Sequence, residues 1–140
     1  MTEQLVRSKR QTTEQRRAAQ AWKDVNGVKG TDAEGEYKTL ARRIPADILN
    51  HGLGQALAFL YAKGYENGRP KSNSGHAMLY QHLSSWVSGE MGWGQDVGLL
   101  KKLTEDDVTT AHYRRATVEA LAYLEWLKRF AEAELRGGEA

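Results

Sequence analysis

The sequence contains no cysteine. That absence removes disulfides, thiolate metal sites, iron–sulfur ligation and cysteine nucleophiles together, and it fits a reducing compartment. Long apolar runs are also missing. The longest, Ala56–Ala62, falls far short of the ~20 residues that cross a bilayer. The polar opening MTEQLVRSKRQTTEQRR has no apolar core of a secretory signal. These features predict a cytoplasmic protein with no membrane attachment. An excess of either charge is lacking too: 20 Lys+Arg stand against 18 Asp+Glu, a net of +2. The bulk charge therefore argues neither for nor against nucleic acid. Only two prolines occur, so little interrupts helix formation. What remains is 140 residues that are 40% apolar and 27% charged, a globular composition of one-domain length. A chain of this size buries roughly 68–70% of its unfolded surface and needs no covalent staple.

The near-balance hides an asymmetry. Residues 1–29 carry seven basic and three acidic side chains, a local +4, whereas 104–140 carry five and eight, a local −3. Apolar periodicity is helical almost throughout. Thr12 and Gln15 are spaced as a capping box, with Ala18, Trp22 and Val25 as the apolar face and Gly27 as the stop. Thr31 and Glu34 repeat the box, followed by the stripe Tyr37, Leu40, Ala41, Ile44 and Ile48. Pro45 predicts a kink or restart there, and Gly52 ends the segment. LGQALAFLYAKG, apolar nearly all round, reads as a central buried helix ending at Lys63 and Gly64. GYENGRPKSNSG (64–75) reads as a long mobile or functional loop.

A further helix carries Leu79, Leu83, Trp86 and Val87 on one face. The last helix is expected to start at Thr104, with Glu105, Asp106 and Asp107 in its first turn. A break near Thr109–Thr110 is the alternative. Its stripe is Tyr113, Ala116, Ala120, Tyr123, Leu124, Leu127, Phe130 and Ala131. No strand alternation, repeat or linker emerges. The expected fold is one all-α domain over 1–140: a bundle of five or six helices with a long C-terminal helix, and flexible ends at 1–11 and 136–140.

Catalytic patterns are weak. His51, His76, His82 and His112 show no His-Glu-x-x-His spacing, so no metal is expected, and surface or capping roles explain them more simply. Asp106 and Asp107 could act as paired carboxylates, but a helix start accounts for them. Ser84 and Ser85 lack a nucleophile-elbow frame. Gly52-x-Gly54 and Gly92-x-Gly94 lack the third glycine of a dinucleotide fingerprint, and no phosphate-binding Gly-x-x-x-x-Gly-Lys loop exists. No cofactor is expected.

The basic side chains are the remaining candidates. Arg16 and Arg17, Lys38 and Arg42 (neighbours at i, i+4), Lys63, and Lys128 and Arg129 sit on helices. Rigidly placed cations suit phosphate contacts that position a backbone without reading bases. Solvated helix faces balanced by nearby acids are the plainer reading. Tyr61, Tyr65, Trp86, Trp93 and Trp126 could stack bases or partner surfaces. Packing suits Trp86 and Trp126 better, while Trp93 in its Gly-rich loop is expected to be exposed.

The stretch YKTLARRIPADILNHGLGQALAFLYAKG, with Tyr37, Pro45, Asn50, Gly52, Leu53, Phe59 and Lys63, resembles the small helical subunit family of the Cmr complex, the type III-B CRISPR RNA-guided effector. YRRATVEALAYLEWLKRFAEAEL, including Trp126–Phe130, resembles that family's closing helix. With the basic first helix, the resemblance covers nearly the whole chain, the 64–75 loop excepted. It implies a non-catalytic subunit whose copies stack into a minor filament beside the backbone subunit that holds the CRISPR RNA. That filament lines the groove where guide and target RNA pair. Target cleavage then belongs to the backbone subunit, and DNase and cyclic-oligonucleotide synthesis to the large subunit. The partners implied are those two subunits, neighbouring copies, CRISPR RNA and target RNA. The basic amino-terminal and acidic carboxy-terminal segments suggest that copies stack head to tail through opposite charge. A stand-alone helical DNA-binding module and a small helical enzyme using Asp106/Asp107 and a histidine are the rivals.

Overall fold

A computed structural model describes residues 11–138. Among them are six helices and one two-residue-per-strand hairpin: α1 (Thr13–Val28), α2 (Glu34–His51), α3 (Leu53–Gly64), β1 (Tyr65–Glu66), β2 (Arg69–Pro70), α4 (Gly75–Glu90), α5 (Leu99–Leu103) and α6 (Thr110–Glu134). The all-α bundle with a long last helix is as expected. The expected flexible ends fall mostly outside the described residues.

Local chemistry explains the element boundaries, and several differ from the sequence reading. The first capping box forms. Gln15 N–H donates to Thr12 Oγ1 at 3.1 Å, and Thr12 N–H to Gln15 Oε1 at 2.8 Å. The predicted stop at Gly27 does not hold. The left-handed residue is Gly30, with φ 83°, and the helix runs on because Val28 is buried. The second capping box is absent. Ala33 occupies the cap without a side-chain bond. Thr31 instead donates to Val28 C=O at 2.7 Å, and Glu34 accepts from Gly30 N–H and Arg136 N–H. Pro45 does not break α2, which runs through it. Ala41, Ile44 and Ile48 are buried on both sides of the proline, and that packing holds the rod together although proline forfeits one ladder bond.

The 64–75 segment is not a structureless loop. Asn67 and Gly68 both take positive φ (53° and 76°), as the type I′ turn of a two-residue hairpin requires. They pair Tyr65 with Pro70 and Glu66 with Arg69. The last helix does not begin at Thr104, which closes α5 by donating its hydroxyl to Lys101 C=O at 2.7 Å. It begins after Thr109, at the position of the expected break, and residues 104–109 form a turn instead of the first half of a split helix. His112 N–H donates to Thr109 Oγ1 at 3.2 Å, and Thr109 N–H donates to His112 Nδ1 at 3.0 Å. Glu105 and Asp107 therefore lie on a turn, both paired with Lys102.

The 25-residue α6 is about 37 Å long at 1.5 Å per residue. It packs along α1 and also touches α2 and α4. α2 contacts α3, α4 and α6, and α3 pairs with α4. Tyr37, Ile44, Leu53, Leu57, Leu60, Leu79, Leu83, Tyr123, Leu124 and Leu127 fill the centre. The approaches of α4 to α3 and to α2 depend on glycine. A Cβ on Gly64 would lie 2.4 Å from Ala77 N, and one on Gly75 would lie 2.7 Å from Tyr37 N. On α1 the buried face is Ala21, Val25 and Val28. Trp22, expected on that face, remains 48% exposed and meets Phe130 edge-on at 5.2 Å between ring centres.

Candidate nucleic-acid interface

The candidate cations divide into inward and outward groups. Arg17, on α1, is gripped by α6: its Nε and Nη2 donate to Glu119 at 2.7 and 2.8 Å, and its Nη1 donates to Glu14 at 2.9 Å. Trp86, on α4, donates its indole N–H to the same Glu119 at 2.9 Å. Burial pushes the Glu119 carboxyl upward, but the bonds from Arg17 and Trp86 outweigh burial and hold it below its ordinary value. Hydrogen bonding to Glu119 likewise strengthens the hold of Arg17 on its proton. Three helices thus meet at one carboxylate.

Neighbouring cations follow the same pattern. Arg16 forms an ion pair with Glu90 and lies over the Trp86 ring at 5.5 Å. Lys38 Nζ donates to Leu135 C=O at 3.1 Å, capping the end of α6. Arg42 pairs with Glu132 at 3.4 Å, and Lys29 with Glu134 at 3.2 Å. The outward group differs. Lys128 and Arg129 approach Glu125 only at 3.9 and 3.8 Å, and Arg129 is 71% exposed. Lys63 projects from the last turn of α3 and forms no ion pair among the described residues.

This arrangement gives part of the charge asymmetry a role inside the chain. α1 and α6 lie side by side, and among the described residues Arg17–Glu119 and Lys29–Glu134 pair basic and acidic side chains of the two segments within one chain.

The residues considered for catalysis are scattered. His112 is a capping residue. His76 contacts Glu36 at 3.1 Å and the edge of Phe59. His82 lies 2.8 Å from the Tyr37 hydroxyl and 3.9 Å from Asp24, which also accepts from Gln20 and from the Tyr123 hydroxyl. Burial lowers the His82 pKa, with Asp24 opposing. His51 and Asp47 line an open groove of about 400 Å³ with Arg43, Gln55 and Phe59. Ser84 is occupied in accepting Leu99 N–H at 2.9 Å. Among the described residues no group of three or more His, Asp or Glu could hold a metal. No described helix is long and apolar enough to cross a membrane.

Trp86 is buried and stacked on Tyr123. Trp126 is half-buried and donates to Glu14 at 2.8 Å. Trp93 is not free as expected: it is half-buried between Lys102, at 5.6 Å, and His112. The sequence reading missed Arg43, which lies over the Phe59 ring at 5.9 Å, and Tyr80, which joins Tyr61 and Tyr65. For Tyr80 a signal existed: it shares the Leu79–Leu83 helix that packs on α3.

Comparison with known proteins decides among these readings. The family model described as CRISPR-associated protein (Cas_Cmr5) matches residues 13–134, the full span from α1 to α6. The chain belongs to the Cmr5 family. A curated relative from Thermus thermophilus, named CRISPR system Cmr subunit Cmr5, is 30% identical over 118 residues, covering 83% of this chain and 90% of that protein. The X-ray structure of a CRISPR-associated Cmr5 family protein from the same organism superimposes with a TM-score of 0.69 at 28% identity. It covers 90% of this chain and all of the other. The resemblance noted in the sequence is therefore correct, and the family match spans every described helix. The DNA-binding alternative finds no support. α3 would have to be the reading helix, yet Leu53 is buried at its start, and Gly54 N–H donates to the Tyr113 hydroxyl at 2.7 Å. The helix start that would face bases is packed against α6.

Proposed function

We propose that this chain is a non-catalytic small subunit of a type III-B Cmr effector, acting in CRISPR-based antiviral defence in the cytoplasm. Its copies stack beside the subunit that carries the CRISPR RNA, contact the large subunit, and line the groove where target RNA pairs. The observation that carries this reading is the Cmr5 match from residue 13 to residue 134, which spans all six described helices.

Phosphate contact falls to the outward cations Lys63, Lys128 and Arg129, whose charges are weakly compensated or uncompensated. Arg16 and Arg42 are secondary candidates, because each must share its guanidinium with a carboxylate. Arg17 and Lys38 hold the helices together and support the interface from behind. The contacts are electrostatic and sequence-tolerant, as backbone contacts are.

Affinity purification from the native host, with sequencing of the bound RNA, tests this function. Recovery of CRISPR RNA and other Cmr subunits is expected. A stable complex with unrelated partners and no CRISPR RNA would overturn the proposal.

A further inference from the structure

The C-terminal end of α3 carries an aromatic cluster that joins the core through Tyr80 and Tyr65 and leaves Tyr61 open to solvent. Tyr61 and Tyr65, one helical turn apart, are stacked with ring centres 4.5 Å apart and planes at 18°. Tyr80 of α4 closes the cluster at 5.3 and 5.4 Å. Tyr80 is buried, whereas Tyr61 is 36% exposed. Tyr61 borders an open depression of about 470 Å³, lined also by Tyr80, Gly98, Leu100, Lys101 and Thr104. The walls are aromatic and aliphatic, and Lys101 is the cation at the rim.

Lys101 is the one cation that lines this depression; the chain that follows Tyr61 is basic as well, with Arg69 and Lys71 lining a separate depression beside Glu66. Over 61–71 the chain carries Lys63, Arg69 and Lys71 against Glu66 alone. None of the three cations forms an ion pair among the described residues. Lys71 N–H donates to Gly64 C=O at 2.8 Å, which holds this basic segment against the end of α3. Glu105, the nearest acid in sequence to the rim, is already paired with Lys102. An aromatic face beside the Lys101 ammonium matches a nucleobase attached to a phosphate: every base has a π-face, and the phosphate needs a positive neighbour. An apolar side chain of a protein partner would fill the depression but would leave Lys101 unmatched.

We infer that the Tyr61 depression is a stacking subsite for one unpaired nucleobase of single-stranded RNA, with Lys101 contacting its phosphate. This deepens the RNA-contact reading above and rests on it, adding an aromatic contact to an electrostatic one.

The test is binding of the full chain to a labelled oligoadenylate of about twelve nucleotides, followed by anisotropy across a salt series. Tyr61→Phe keeps the ring and should bind like the wild type. Tyr61→Leu keeps apolar bulk but removes the π-face, and should weaken binding by about 5- to 150-fold at an unchanged salt slope. Lys101→Ala should make that slope shallower by about one contact. Equal affinity for the leucine and wild-type chains would overturn the stacking subsite while leaving the electrostatic reading intact. No binding by the wild type even near 50 mM salt would also overturn it, and co-purification of CRISPR RNA would still judge the broader function. Normal RNA binding by Tyr61→Leu together with loss of Cmr subunits on purification would assign the depression to a protein partner, and would equally overturn the inference.

Discussion

Replacing Glu119 by alanine tests the division between inward and outward cations. Glu119 is 12% exposed and accepts three hydrogen bonds, two from Arg17 and one from Trp86. Bonds to a charged partner contribute about 1.5–3 kcal/mol each, and removing one member of a buried pair costs about 3–5 kcal/mol. Arg17 keeps its bond to Glu14 and is 17% exposed, so water recovers part of the loss. The expected destabilisation is about 2–4 kcal/mol, which for a domain of this size lowers Tm by about 10 °C. Thermal unfolding followed by circular dichroism reads it directly. The double variant Arg17→Met, Glu119→Leu removes both charges together and should recover most of the loss, because no unpaired charge remains. A Tm for Glu119→Ala within about 2 °C of the wild type would refute the claim that this carboxylate joins three helices.

Other outcomes follow from the same geometry. Glu119→Ala should also flatten the acid limb of stability. The folded carboxyl titrates below its ordinary 4.5, so its contribution is present above that value and is lost as pH falls through the depressed one. His82 titrates below its ordinary 6.5, so burying it neutral is favourable above 6.5, and stability falls as pH drops from there through the lowered value. His82→Gln should remove that decline in a pH series of unfolding curves. Gly64→Ala places a methyl 2.4 Å from Ala77 N and should destabilise by about 1–3 kcal/mol in urea titration. Combined charge reversal at Lys63 and Arg129 should leave Tm nearly unchanged, since exposed pairs contribute about 0–1 kcal/mol. The same variant should weaken RNA binding and make its salt dependence shallower.

The pattern of what is legible in the sequence is physical. Features set by three or four neighbouring residues are readable: the Thr12–Gln15 box, the positive-φ stop at Gly52 and the apolar α3. Thr31–Glu34 carries the same letters as the first box but fails, because Gly30 and Arg136 use the Glu34 carboxylate. The box at Thr109 uses a histidine in place of the usual Glu or Gln, which hides the true start of α6. The Asn67-Gly68 turn signal is present but is absorbed into a loop reading. The site is less legible. Arg16, Arg17 and Lys38 look like a free basic face in one dimension. Their partners, Glu90, Glu119 and the Leu135 carbonyl, lie some 74 to 102 residues away in sequence, and only the packing of the helices brings them near. Exposure of Lys63 and Arg129 is likewise a tertiary fact.

Native mass spectrometry of a reconstituted assembly tests the central claim most directly. This chain would be mixed with the remaining Cmr subunits and CRISPR RNA from its host. The account expects the chain to enter the particle in more than one copy. It also expects the particle carrying Asp106→Ala and Asp107→Ala to cleave target RNA at the wild-type rate. A particle that assembles completely without taking up the chain would contradict the subunit role, and loss of cleavage on removing those two carboxylates would contradict its non-catalytic character.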